Sequence, residues 1–117
     1  MADSLSELRD EVDAFVAERD WAQFHTPKNL AMGVAIEAAE LMEHFLWSTD
    51  AQSTALDSTR REQIAQEMAD VLIYLVRLSR VLDVDLVAAA TAKLAQNRVK
   101  YPVEMAKGRA TKYRDLG

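Results

Sequence analysis

The sequence predicts an all-α fold, a four-helix bundle or a close variant of one. Three observations carry that expectation. The 117 residues are half apolar and rich in Ala and Leu, with only two Pro and three Gly to interrupt helices. Four segments place apolar residues at helical spacing, and none alternates with the period of two that a half-buried strand requires. Helix-start signals stand at the head of each segment. The length suits a single domain, residues 1–117, with a basic C-terminal tail from about 103 to 117.

Ser4-x-x-Glu7 reads as a capping box opening helix one, whose stripe is Leu5, Leu8, Val12, Phe15 and Val16 and whose end falls near Asp20. The connector WAQFHTP follows. Thr26-Pro27 combines an N-cap hydroxyl with a proline in the first turn, so helix two starts there and runs to about Trp47. STDAQSTALDS is polar and without periodicity, hence a loop. Thr59-x-x-Glu62 is a second capping box. It opens a long helix three through Ile64, Met68, Val71, Leu72, Leu75 and Leu78 to about Leu82. Asp85 caps helix four, and Pro102 marks its end.

Charge excludes some functions. The formal charge is −5, but residues 98–117 carry six basic side chains against two acidic ones, a balance of +4 that leaves −9 on the rest. An acidic body lacks the basic surface on which nucleic-acid binding depends. No apolar run approaches the ~20 residues of a membrane span, and MADSLSELRDEV is acidic, unlike a signal peptide. With no cysteine there is neither disulfide framework nor thiolate site. The expected location is the cytoplasm.

Chemistry concentrates on helices two and three. Glu37, Glu40 and His44 stand at i, i+3, i+7, and so do Glu67, Asp70 and Tyr74. Positions so spaced fall within roughly 60° of one another, which gives each helix one narrow polar stripe. Asn29 and Gly33 extend the first stripe. Such carboxylates are either solvated or gathered on a cation. Ile36, Ala38, Ala39, Leu41 and Met42 leave little polar face around Glu37 and Glu40, and neither stripe supplies a Lys or Arg partner. Four carboxylates facing one another require protons or cations. Oxygen-only ligation suits Mg²⁺, with Mn²⁺ a possible substitute. Zinc calls for His or Cys, and a di-iron bundle calls for Glu-x-x-His where this chain has Glu40-x-x-x-His44.

Glu37-x-x-Glu40, followed after 26 residues by Glu67-x-x-Asp70, resembles the signature of the all-α nucleoside triphosphate pyrophosphohydrolases, the MazG-like superfamily. ERDWAQFHTPKNLA, AAELMEHFLW, EMADVLIYLVRL, KLAQNRVKYP and GRATKY narrow the likeness to the compact dCTP pyrophosphatase group, over roughly residues 10 to 115. The resemblance implies a helical, Mg²⁺-dependent enzyme that splits nucleoside triphosphates between the α- and β-phosphates to monophosphate and pyrophosphate. It also implies a homo-oligomer, dimer or tetramer, whose paired chains complete each site. Glu37, Glu40, Glu67 and Asp70 would then hold the metal and act in catalysis.

Further residues follow from the resemblance. Trp21 and Trp47 would form the base pocket, with Tyr74 beside the sugar. Lys93, Asn97 and Lys100 would reach phosphate oxygens, against the plainer reading of a polar helix face. Lys28 and Asn29 belong to the matching block. His25 is either a substrate contact or a neutral, hydrogen-bonded brace of the connector, and His44 is read as a packing residue. Val12 stands where the mammalian relatives place a pocket histidine, which leaves base preference open. The implied substrates are deoxynucleoside triphosphates, dCTP and its modified forms among them, and the implied purpose is sanitising the nucleotide pool. The rival readings are a metal-dependent phosphohydrolase releasing orthophosphate and a non-catalytic helical interaction module.

Overall fold

The computed structural model describes residues 3–116. They form helices α1 (Ser4–Glu18), α2 (Pro27–Glu43), α3 (Asp50–Thr54), α4 (Ser58–Val81), α5 (Leu86–Lys100) and α6 (Val103–Ala106), with 3-10 turns at Ala22–Phe24 and Tyr113–Asp115. No strand occurs among the described residues, so the all-α expectation holds.

The four long helices begin where the sequence places them, but two caps differ. Asp3 caps α1 by accepting the Ser6 N–H at 2.7 Å, and Asp57 caps α4 by accepting the Arg60 N–H at 2.7 Å. In each case an aspartate just upstream displaces the hydroxyl of the expected capping box, because a full negative charge suits the helix N-terminus better. Thr26 and Asp85 cap α2 and α5 as expected. Both α1 and α4 stop at an aspartate in the left-handed region, Asp20 at φ 53° and Asp83 at φ 54°.

The middle of the chain departs most from expectation. Helix α2 ends at Glu43, and the chain then tightens into turns in which the N–H groups of His44, Phe45, Leu46 and Ser48 reach carbonyls three residues back. The expected loop contains α3, a single turn held by a capping box between Thr49 and Gln52. That Thr-x-x-Gln signal was present, but no apolar period accompanied it.

The chain divides into two compact units, one up to Val84 and one from Asp85. In the first, α4 is central, packing on α2 over the larger interface and on α1 over a smaller one. Val12 and Val16 of α1, Leu30 of α2, and Ile64 and Val76 of α4 are buried. Several residues of the expected core stripes are not: Phe15, Met68 and Leu72 are exposed, as are Met32, Ile36 and Met42 of α2. The second unit holds α5, α6 and the last turn, where Tyr101 meets Tyr113 edge-on at 6.1 Å. No described helix is long and apolar enough to cross a membrane.

Candidate metal and nucleotide site

The packing of α2 on α4 brings the two acidic stripes face to face. Glu37, Glu67 and Asp70 each place a carboxylate oxygen within 4.8 Å of the other two. Burial first, then the hydrogen bond and charge of Glu40, then Asp70 and Glu67, push the Glu37 carboxyl up to about 7. Glu67 is raised by burial, Glu40 and Asp70, with His44 opposing. Both acids resist ionising first because they are shielded from water, and then because they face one another. Furthermore, Glu37 Oε2 and Glu67 Oε2 are buried and accept no hydrogen bond. Two orphaned oxygens and an all-oxygen donor set fit a hard divalent cation.

Beside this cluster lies a polar cavity of about 390 Å³, lined by Glu40, Glu43, His44, Arg60 and Glu67. His44 Nε2 stands 4.0 Å from Glu67 Oε1, so His44 faces the acidic site besides packing at the helix end. Arg60 donates to the His44 carbonyl at 2.7 Å. Arg60 thus lines the cavity without an ion pair to any of the four acids, so the expectation that neither stripe supplies a Lys or Arg partner holds among the described residues. Arg60 stands seven residues before Glu67, on the same helical stripe, and that spacing was the signal for it.

On the other side, a cavity of about 340 Å³ runs from Glu37 and Asp70 to Trp21, His25 and Tyr74, walled by Val12, Phe15, Leu30 and Ile73. A neighbouring recess of about 270 Å³ is lined by Trp21, Phe24, His25, Asn29, Leu30 and Tyr74. Trp21 is held by an edge contact to Phe15 at 5.6 Å, and Asn29 Nδ2 donates to the Phe24 carbonyl at 3.0 Å. Gly33 lets Tyr74 in: a β-carbon there would overlap the tyrosine ring. His25 Nδ1 accepts the Nε–H of Arg77 at 3.0 Å, and Arg77 Nη1 in turn holds Asp13 Oδ1 at 2.8 Å. Burial, and then the Arg77 charge, keep the His25 ring below its ordinary 6.5, hence neutral. Sequence reasoning missed Arg77, Asp13 and Phe24, although Arg77 continues the stripe of Glu67, Asp70 and Tyr74 by three residues.

Two further expected residues of the first unit line none of these cavities. Lys28 is exposed in the first turn of α2. Trp47 is 90% exposed and lines none of these cavities, so within one chain it does not reach the pocket assigned to it. Lys93, Asn97 and Lys100 belong to α5 in the second unit, where Lys93 and Asn97 stand one turn apart and Lys100 Nζ lies 4.8 Å from the Tyr113 ring centre.

Comparison with known proteins finds relatives over most of the chain. The model of the MazG-like family matches residues 33–116. The dCTP pyrophosphatase 1 of Rattus norvegicus is 43% identical over 115 residues, which is 97% of this chain and 68% of the rat protein. The dCTP pyrophosphatase 1 of Homo sapiens is 41% identical over the same shares. Among solved structures, a pyrophosphatase from Archaeoglobus fulgidus superposes with a TM-score of 0.82 at 37% identity, covering 87% of this chain and 95% of that one.

Proposed function

The chain belongs to the MazG-like family, and from that premise we propose that it is a Mg²⁺-dependent pyrophosphohydrolase of deoxynucleoside triphosphates, dCTP and its modified forms among them. One observation carries the reading. The same cavity is lined by Glu37 and Asp70 and by Trp21, His25 and Tyr74, which supports a triphosphate held at the acids with its base among the rings. The names of the mammalian relatives supply dCTP as the first substrate to test.

Glu37, Glu40, Glu67 and Asp70 would hold Mg²⁺ or Mn²⁺. When bound, such ions supply a water made acidic enough to attack the α-phosphorus and positive charge to balance the departing pyrophosphate. The protein's own groups do the rest. The orphaned Glu37 and Glu67 oxygens offer preset ligands, and His44 Nε2 stands 4.0 Å from Glu67 Oε1 at the border of the cluster. Trp21 and Tyr74 orient the nucleoside, so the α-phosphorus stands over the acids. Contact with the triphosphate by Lys93, Asn97 and Lys100 remains part of the reading on the strength of KLAQNRVKYP, and residues 1–117 would act as one catalytic domain.

The uncovered apolar side chains of α2 and α4 support a homo-oligomer, dimer or tetramer, in which Trp47 would also find its contact. Clearing the cytoplasmic nucleotide pool of unwanted triphosphates is the purpose that fits. The deciding experiment is product analysis with dCTP and Mg²⁺, expected to give dCMP and pyrophosphate. Accumulation of dCDP with orthophosphate would overturn the assignment in favour of a phosphohydrolase.

A further inference from the structure

We infer that Arg77 is a positioning residue that locks the His25 ring as a hydrogen-bond donor, and that this donor reads the N3 and O2 edge of a cytosine base. The argument starts from what an arginine can do. A guanidinium has donors only, so the His25 nitrogen facing it must be the unprotonated one. Arg77 Nε meets Nδ1 at 3.0 Å, which leaves the ring proton on Nε2. Asp13 fixes the arginine in turn, through Nη1 at 2.8 Å, with both side chains largely buried. His25 lines both recesses beside Trp21 and Tyr74, and its Nε2 has no partner among the described residues.

A ring so held offers a ligand one polar group, an N–H. Cytosine carries an acceptor at N3, whereas thymine and uracil carry N3–H there and would oppose the donor. Val12 leaves the α1 wall of this cavity apolar, so His25 provides the polar discrimination that wall lacks. Depression of the His25 pKa by burial and Arg77 agrees with a neutral ring.

The inference rests on the pyrophosphohydrolase reading, and the test separates the two. Nitrogen-15 imidazole spectra of the ligand-free protein report the tautomer directly. The chain has two histidines, so a His44→Gln variant assigns the signals. The parent should show His25 protonated on Nε2 alone, and Arg77→Met should show a mixture of tautomers. In steady-state assays the parent's kcat/KM ratio of dCTP over dTTP should fall about tenfold in Arg77→Met, mostly through KM, the worth of one good hydrogen bond. Arg77→Lys, which still donates, should restore most of the ratio. If Arg77→Met does not fold, Arg77→Gln, shorter but polar, both donates and accepts and should show the same two changes. A parent ring protonated on Nδ1, or an unchanged ratio in a folded variant, overturns the inference. A parent inert toward every triphosphate overturns the functional reading instead.

Discussion

The ring of Tyr74 on α4 occupies the space that a β-carbon on Gly33 of α2 would need. Gly33 therefore serves close packing inside a helix, where its loss of helix propensity is otherwise a cost of about 1 kcal/mol relative to Ala. Gly33→Ala should lower stability, since overpacking at about 1–3 kcal/mol exceeds that gain. In a Tyr74→Leu background the same substitution should stabilise. Chemical unfolding of the four proteins of the cycle checks the change of sign.

Glu37 gives the cation-free protein a defined pH dependence. Its folded pKa, about 7, lies above the ordinary 4.5, so folding favours the protonated acid. The resulting stability is complete below the unfolded value and is lost as pH rises through about 7. The parent should thus melt higher near pH 5 than near pH 8, and Glu37→Gln should flatten that slope. Thermal melts in a chelator measure both.

Divalent cations should replace the proton. At 100 times its dissociation constant, Mg²⁺ would add about 2.7 kcal/mol of stability. The rise should be larger at pH 8 than at pH 6, where protons compete for Glu37, and Glu67→Gln should abolish it. Melting curves across a Mg²⁺ series read this without any substrate. A parent indifferent to Mg²⁺ would favour an interaction module.

Asp70→Asn should fold normally, because Asp70 is exposed at its edge of the cluster. Its kcat should fall by orders of magnitude. A loss confined to KM would remove Asp70 from the chemistry.

The two tryptophans should separate cleanly. Trp21→Ala should raise KM for dCTP about tenfold with kcat little changed, the worth of one base–aromatic stack. Trp47→Ala should leave monomer stability within about 0.5 kcal/mol, since the side chain is 90% exposed. Loss of activity in that variant, together with a change in sedimentation, would place its contact in an assembly of copies.

Much of this was legible in the sequence because it depends on spacing along one helix. The i, i+3 pairs Glu37/Glu40 and Glu67/Asp70 needed only α2 and α4 to pack together, and the run of Thr26, Pro27 and Asp85 fixed two helix starts. What was not legible depends on pairing across the fold. Asp13 meets Arg77 and Arg80 from 64 and 67 residues away, a relation no local pattern carries. Likewise, apolar stripes reported which side chains are hydrophobic and not which of them find a neighbour. Phe15, Met68 and Leu72 satisfy the helical period and still stand exposed. The caps at Asp3 and Asp57 were misjudged because the hydroxyl-and-glutamate pattern was weighed without the stronger acid beside it.

The charge ladder between α1 and α4 sets the order in which the molecule comes apart. Asp13 divides its two oxygens between Arg77 and Arg80, and Asp10 takes the far nitrogen of Arg80. The first helix is thereby fastened by ions along with two buried valines, whereas the second packs on α4 over a broader contact that holds Leu30, Gly33 and the opposed acids. Ionic strength and mild denaturant act on the former before the latter. The N-terminal helix should accordingly exchange its amide hydrogens ahead of α2, swinging off like a hinged panel while the acids stay opposed.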